Sequence, residues 1–473
     1  MAEAEVERVR ADLARVLGTE RVKWSVAALA EHAHDNWPLA LLRAHEGRLD
    51  VRPACIVYPT SAADVATVLA YANAQRVPVV PYGGGSGVCG GILPDARTIV
   101  VDLRRMDRVL DLNETALQVR VQAGRYGQRL EDELQVRGYT SGHWPQSMAI
   151  STVGGWIATR AAGQFSTRYG AIEDILLGLE VVLADGRVVR VPPAPRRATG
   201  PDLRHLFLGA EGTAGIVTEA TLKVFPLPDS RRLQCFAFPD FHSGLEAMRH
   251  IVRAGWRPPV LRLYDASETG RSFGEWQHDD RCLLLALSEG PASLTAAETE
   301  ACHDACSGHG GEAVGEAPVQ HWLRERNNVP SLQSFVARGF VLDTIEVATQ
   351  WDRLYTLYTE VIAAVRAVKH LVVVSGHSSH AYPQGANLYF TFVARPEHPA
   401  DAESTYLACW RQAMDATLRV GGTIGHHHGV GRLRLPWMRA EHGAGLDVMR
   451  AVKRALDPNG ILNPGALLPS EAP

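Results

Sequence analysis

Three consecutive histidines bracketed by glycines, GHHHGVG at 425–431, are the residues best suited to chemistry in this chain. Imidazole titrates near neutrality, so His426, His427 and His428 could carry protons or ligate a metal. The run is not a terminal purification tag, because more than forty residues follow it. In an extended segment His426 and His428 would face one side and His427 the other. Tyr389, in LYFTF, is a second candidate. Its phenol, with an ordinary pKa of about 10, becomes a base at neutral pH only when cationic or hydrogen-bonding neighbours favour the anion. An aromatic residue at strand spacing suits a core equally well.

A third feature is PYGGGSGVCGG, residues 81–91, with six glycines in eleven positions. Glycine tolerates positive φ and has no Cβ, so successive backbone N–H groups can converge on a phosphate or pyrophosphate. No Lys-Ser/Thr follows as in a P-loop, and the loop runs on to Pro94 instead of opening a helix as a Rossmann loop does. A different dinucleotide fold is required. Cys302, His303, Cys306 and His309 form one tight group with no second ligand pair, and TAAETEACHDAC reads as a helix ending at Ser307-Gly308.

The elements around these residues alternate. CIVYP is a strand, followed by a helix that Ser61 can cap and by the strand VPVVP ahead of the glycine loop. Strands at TIVVDL and ALQVRVQAG precede a helix at YGQRLEDELQVRG, and LEVVLADGRVVRV reads as a hairpin about Asp185-Gly186. From about residue 230, strand-like runs (LQCFAF, LLLALS, LVVVSG, NLYFTFV) alternate with helical stretches such as WDRLYTLYTEVIAAVRAV, an α+β pattern.

At 473 residues the chain exceeds one ordinary core. Its net charge of −4, with acids and bases mixed, makes no case for nucleic acid or an anionic membrane. No apolar run is long enough to span a bilayer. The N-terminus reads as a charged amphipathic helix, and seven scattered cysteines fit a reduced, cytoplasmic protein.

PTSAADV, PYGGGSGVCGG, STVGGW, TRAAG, YGAIEDILLGLEVVLADG, LFLGAEGTAGIVTEATLKV and the tail LDPNGILNPG together resemble the FAD-linked oxidase superfamily of vanillyl-alcohol oxidase and p-cresol methylhydroxylase. The resemblance runs over nearly the whole chain. It implies an α+β fold: a two-subdomain FAD-binding domain with an inserted α+β cap. The expected organisation is an N-terminal helical segment (1–50), an FAD-binding domain (51–229), a cap (230–419) and a C-terminal return carrying the histidines (420–473). For FAD it implies contacts from Pro81, Tyr82, Gly83, Gly84, Gly85, Ser86 and Gly87 at the pyrophosphate. Pro145, Ser147, Ser151, Thr152, Gly155, Arg160, Ala161 and Gly163 would line the flavin and its phosphates. Glu211, Gly212, Thr213, Gly215 and Ile216 would meet the adenosine or flavin edge, and Asn463 would come from the tail. The histidine that attaches FAD covalently in some members is absent from the glycine loop, so binding there is expected to be non-covalent. A covalent link from the cap stays open.

Within that superfamily GH143-WP, ATGPDLRHLF, RPPVLRLYDASE, TIEVATQWDRL, SHAYPQGANLYFTF and GHHHGVGRLR look like alkylglycerone-phosphate synthase (alkyl-dihydroxyacetonephosphate synthase). The neighbouring 2-hydroxy-acid dehydrogenases carry metal-ligand patterns that are broken here, since Tyr389 and His427 replace a histidine and a glutamate. His377, His380 and His426 remain, and no metal is expected. The resemblance implies Tyr389 as proton acceptor, His426 to His428 as proton carriers, and Arg262 in LRLYD as an orienting group. The arginine that grips the substrate phosphate in the synthases falls on Leu332 here; Arg326 and Arg338 are its nearest substitutes. The expected activity is an FAD-dependent oxidoreductase taking hydride from a small or lipid-like hydroxy substrate, with oxygen or a carrier as electron acceptor and a homodimer as one expected assembly. The alternative is synthase-like exchange of acyl for alkyl on acyl-dihydroxyacetonephosphate, through a redox-neutral flavin adduct that makes ether lipid. A non-catalytic flavin-binding protein is the remote third reading.

Overall fold

Between Cys55 and Asp102 the chain runs strand, helix, strand, loop, strand, and the three strands Cys55–Val57, Val79–Tyr82 and Ile99–Asp102 pair in parallel with Ile99–Asp102 central. They are buried almost throughout, as parallel strands covered on both faces must be. The connecting helix Ala62–Gln75 starts where Ser61 Oγ accepts a hydrogen bond from the Asp64 N–H at 3.2 Å. The computed structural model describes residues 3–49, 51–276, 279–328 and 332–469. They divide into two units, one of residues 1–162, 171–225 and 427–473, the other of 163–170 and 226–426.

The first unit adds an antiparallel sheet in the order Val109–Asn113, Gln118–Gln122, Ile216–Lys223, Leu176–Val182, Val188–Val191. The hairpin at Asp185-Gly186 places Gly186 at φ +86, the left-handed region that glycine enters without strain. The tail closes this unit. Asp457 accepts the N–H groups of Ile461 and Leu462 at 3.0 and 2.8 Å and pairs with Lys453 at 2.5 Å. The turn then lays Ile461 to Asn463 beside Val79, with hydrogen bonds of 2.8 Å in both directions.

The second unit is a seven-stranded antiparallel sheet, ordered Glu312–Ala313, Ser230–Phe238, Cys282–Gly290, Val260–Tyr264, Leu371–Ser378, Gly385–Ala394, Val341–Gln350. Period-two alternation assigns its faces. Leu388, Phe390, Phe392 and Ala394 are buried, with Phe390 stacked on Tyr358 of the helix Trp351–Arg366 and Phe392 beside Tyr406 of the helix Ala402–Val420. Tyr389, Thr391 and Val393 alternate with them and are only partly buried. The opposite face is therefore free for polar groups. The cysteine-histidine group lies in the helix Ala292–Gly308, where Cys302 and Cys306 are buried and unbridged.

Asp457→Ala should lower the stability of the protein by about 3 kcal/mol, because it strips Lys453 and two buried N–H groups of their shared acceptor. A thermal-unfolding midpoint equal to that of the parent protein would show that the tail is held by other means.

Candidate active-site residues

Register aligns four side chains across four neighbouring strands of the second unit. Tyr264 pairs with His377, His377 with Tyr389, and Tyr389 with Glu346. Neighbouring strands lie about 4.8 Å apart, and the rings follow that spacing: 5.3 Å between Tyr264 and His377, and 4.7 Å between His377 and Tyr389, stacked at 20°. Arg262, two residues before Tyr264, lies on the same face. Its Nε donates to the Tyr264 hydroxyl at 2.6 Å, and its Nη2 lies 2.7 Å from His377 Nε2.

These contacts settle the His377 tautomer. A guanidinium only donates, so Nε2 accepts, and Nδ1–H donates to Glu268 Oε1 at 3.0 Å. Burial and then Arg262 lower the His377 pKa against the pull of Glu268, so the ring is neutral. Burial would raise Glu268, but its contact with His377 and the charges of Arg271 and Arg262 outweigh it and hold the carboxylate ionised. Asp265 places Glu268: it caps the helix Ala266–Phe273, with Oδ1 accepting the Glu268 N–H at 2.8 Å and Oδ2 accepting Gly376 N–H at 2.6 Å and Tyr358 O–H at 3.0 Å. Burial pushes the Tyr389 phenol well above its ordinary value. A hydrogen bond from Thr344 and the charge of Arg262 pull it back, while Glu346 and Asp343 add to the rise.

A second cluster in this unit joins Ser166, His380, Tyr382 and His426. Ser166 Oγ is 2.5 Å from His380 Nδ1, His380 and His426 stack at 4.9 Å, and the Tyr382 hydroxyl is 2.8 Å from His426 Nε2. Gly163 also belongs to this unit.

The remaining candidates lie in the first unit. Among the described residues, no backbone N–H from Gly83 to Gly87 finds an acceptor, the condition for a phosphate-binding loop. The loop presses on the segment Ile150–Thr152, so that a Cβ on Gly84 would stand 1.8 Å from Ile150 O and one on Gly83 2.3 Å from Thr152 Oγ1. Pro145, Ser147 and Ser151 form the turn beneath it, Thr152 caps the helix Val153–Thr159, and Arg160, its left-handed C-cap, pairs with Glu173 at 3.0 Å. Ala161 and Gly155 belong to the same stretch. Gly212, at φ +73, comes so near Pro81 that a Cβ would be 2.3 Å from its ring, and Thr213, Gly215 and Ile216 lead into the central antiparallel strand. Asn463 Nδ2 donates to Gly91 O and Glu211 O, while its buried Oδ1 has no partner among the described residues. Unclaimed N–H groups, absent side chains and a spare buried acceptor suit a phosphorylated, hydrogen-bonding cofactor.

The histidine segment departs from strand alternation. Residues 426–428 form a bend, and His427 and His428 lie edge to face at 4.5 Å instead of pointing oppositely. Backbone anchoring explains this. Glu211 accepts Val430 N–H at 2.6 Å and Gly431 N–H at 2.9 Å, and Arg434, fully buried, reaches Cys89 Sγ at 2.9 Å and Gly429 O. Burial raises Glu211 to about 6. Nearby Asp35, accepting from Gly91, Ile92 and Trp37 N–H, is raised by burial to about 7.

Residues 53–192 match the family described as FAD binding domain, and residues 227–467 match FAD linked oxidases, C-terminal domain. The chain belongs to the FAD-linked oxidase family. An uncharacterized FAD-linked oxidoreductase of Escherichia coli K12 (YgcU) is 34% identical over 89% of this chain and 90% of its own. The alkyldihydroxyacetonephosphate synthase of Trypanosoma brucei brucei is 31% identical over 97% of this chain and 80% of its own. A solved alkyldihydroxyacetonephosphate synthase superposes with a TM-score of 0.82 at 27% identity, covering 98% of this chain and 85% of that one. p-Cresol methylhydroxylase, at 17% identity and a TM-score of 0.79 over 98% of this chain and 97% of its own, shares the fold. This protein is an FAD-dependent enzyme of α+β architecture, and no described helix is long and apolar enough to cross a membrane.

Reading residue types alone missed Glu268, Asp35 and Arg434. Asp265 and Glu268 have the spacing of a capping box, a signal that could have found the first; Asp35 and Arg434 carry no such pattern.

Gly84→Ala should leave a folded protein with less than about a tenth of the parent flavin content, because the new methyl must displace the loop from Ile150; absorbance per polypeptide measures it, and full occupancy would refute the fit. Asp35 supplies a pH prediction. Between 3.8 and about 7 the folded protein keeps a proton that the unfolded chain has released, so this group's contribution to stability falls as pH rises through that window. Asp35→Asn should flatten that slope in midpoints recorded across the window; parallel curves would assign the slope to other groups.

Proposed function

We propose that this protein is an FAD-dependent oxidoreductase that removes hydrogen from the carbinol carbon of a hydroxy compound, with Tyr389 receiving the hydroxyl proton and His426, His427 and His428 carrying protons onward. The row Tyr264–His377–Tyr389–Glu346, with Arg262 beside it, is the observation that supports this most. Polar and titratable groups occupy one face of a sheet whose other face is apolar core. FAD, when bound, accepts the two electrons of the oxidation. The polypeptide's part is to orient the substrate and manage its proton. Arg262 is held rigidly by Tyr264 and His377 and favours the Tyr389 anion. The Thr344 hydrogen bond also favours it. His426, hydrogen-bonded to Tyr382 and stacked on His380, has the neighbours expected of a proton carrier. The Escherichia coli relative, called an FAD-linked oxidoreductase, and the glycolate oxidase subunit GlcD of Bacillus subtilis, 26% identical over 98% of this chain, support net oxidation.

The likeness to alkyldihydroxyacetonephosphate synthases favours a second reading, redox-neutral exchange of an acyl for an alkyl chain. Leu332, where those enzymes are expected to carry a phosphate-gripping arginine, weighs against it.

Anaerobic addition of small hydroxy acids and alcohols, beside an acylated dihydroxyacetone phosphate, separates the two. Bleaching of the flavin by a hydroxy compound, with turnover restored by an acceptor, is the expected result. Ether product from the acylated ketone and a long-chain alcohol, without bleaching by any hydroxy compound, would replace this reading with the transferase. Tyr389→Phe should slow bleaching by about 100-fold or more at unchanged flavin content.

A further inference from the structure

The glycine loop is held from outside by residues that precede the matched FAD binding domain, which begins at residue 53. Residues 32–37 join the helix Val26–Glu31 to the helix Pro38–His45 and follow the loop from one end to the other. At its start the His32 ring packs 4.5 Å from the Tyr82 ring. In its middle Asn36 N–H donates to Gly85 O at 3.1 Å. At its far end Asp35 Oδ2 accepts Gly91 N–H at 2.9 Å and Ile92 N–H at 3.4 Å, and Asp35 N–H donates to Ile92 O at 3.3 Å. Asp35 Oδ1 takes Trp37 N–H at 3.2 Å. That bond fixes the indole on which Gly90 rests, so close that a Cβ on Gly90 would stand 2.5 Å from Trp37 Cε3. A Cβ on Gly87 would stand 3.1 Å from Asp35 Oδ2 itself.

The bracing segment is anchored in turn. His32 and Asp102 are both fully buried, with His32 Nε2 2.9 Å from Asp102 Oδ2 and His32 Nδ1 2.7 Å from Ala28 O. Asp102 ends the strand Ile99–Asp102, so the brace bears on the parallel sheet. Its contacts fall on rings, on Gly85 O, on Ile92 O and on the N–H groups of Gly91 and Ile92. Among the described residues it takes none of the N–H groups from Gly83 to Gly87. Six glycines in eleven residues leave a loop with much freedom to lose on binding. A loop already fixed by its surroundings does not lose that freedom again when the ligand arrives, and binds more tightly for it.

We propose that Asp35 is a positioning residue for FAD: acting through Gly87, Gly91 and Trp37, it fixes the glycine loop before the cofactor binds and so sets how tightly the cofactor is held. This role rests on FAD binding alone, whichever reaction the flavin serves. It extends the cofactor site to a segment outside the matched domain.

Ultrafiltration of the FAD-loaded protein across a dilution series, with flavin fluorescence read in the filtrate, gives the dissociation constant. Asp35→Ala should raise it roughly 10- to 100-fold. Asp35→Asn keeps the shape and one acceptor oxygen, and should recover part of the loss, to about 3- to 10-fold. At saturating FAD the absorption spectrum of the bound flavin should match the parent in both. Leu13→Ala, which opens a cavity in the core of the same unit, should lower the thermal midpoint and leave FAD affinity as it was. Should Asp35→Ala not fold, Asp35→Asn decides alone. The role is overturned when a folded Asp35 variant holds FAD as tightly as the parent, when Leu13→Ala weakens FAD as much as Asp35→Asn does, or when the spectrum at saturating FAD changes.

Discussion

The buried carboxylate of Glu211 is the constraint on which the first unit's arrangement depends. It accepts the N–H groups of Val430 and Gly431, while its own carbonyl takes Asn463 Nδ2, which also binds Gly91 O. Arg432 adds Gly90 O, Leu93 O and Pro464 O, and Cys89 O receives the N–H groups of Arg432 and Leu433. Glu211, Asn463 and Arg432 together thus gather the glycine loop, the histidine segment and the tail. The energies nearly cancel. Hydrogen bonds to a charged group contribute roughly 1.5–3 kcal/mol each, and burying the charge costs several kcal/mol. A Glu211 pKa raised only to about 6 reflects that near balance. The interaction therefore specifies geometry more than it adds stability, and it leaves no room for error at Gly431, where φ is +55 and a Cβ would stand 2.0 Å from Cys89 O.

The second unit solves a different problem. An antiparallel sheet with helices on one face can carry a polar row on the other, but each buried polar group then needs a partner. The chain Asp265–Glu268–His377–Arg262–Tyr264 meets that need in sequence. A helix cap fixes an acid, the acid fixes a tautomer, the imidazole lone pair fixes an arginine, and the arginine fixes a phenol. Each link depends on the one before it, so the charge at the end is held by contacts that begin at the cap Asp265.

Much of this was legible from residue order. The strand-helix alternation after Cys55, the Asp185-Gly186 hairpin, the Ser61 cap and the helix over Cys302 and Cys306 follow from local patterns, because turn chemistry and periodicity act over a few residues. What could not be read is register. Nothing local states that Tyr264, His377, Tyr389 and Glu346 fall in one row, since that depends on which strands pair and in what register, with Tyr264 and His377 more than a hundred residues apart. The bend at His426 to His428 was hidden for a similar reason. Its cause is an acid more than two hundred residues upstream, and strand alternation was the wrong rule for a segment anchored by its backbone.

The charge at Arg262 bears on the proton path in two opposing ways. It favours the Tyr389 anion and disfavours a protonated His377, so the positive field that makes the phenol a better acceptor makes its stacked neighbour a worse one. A proton received at Tyr389 therefore has no stable resting place on His377. On the proposed reaction, Tyr389 would therefore work best by receiving a proton only as it passes one on. That requirement calls for a further imidazole. In the second unit His426, set between Tyr382 and His380, is such a group. On the proposed reaction, His426 would complete a transfer that Tyr389, whose anion burial disfavours, cannot complete alone.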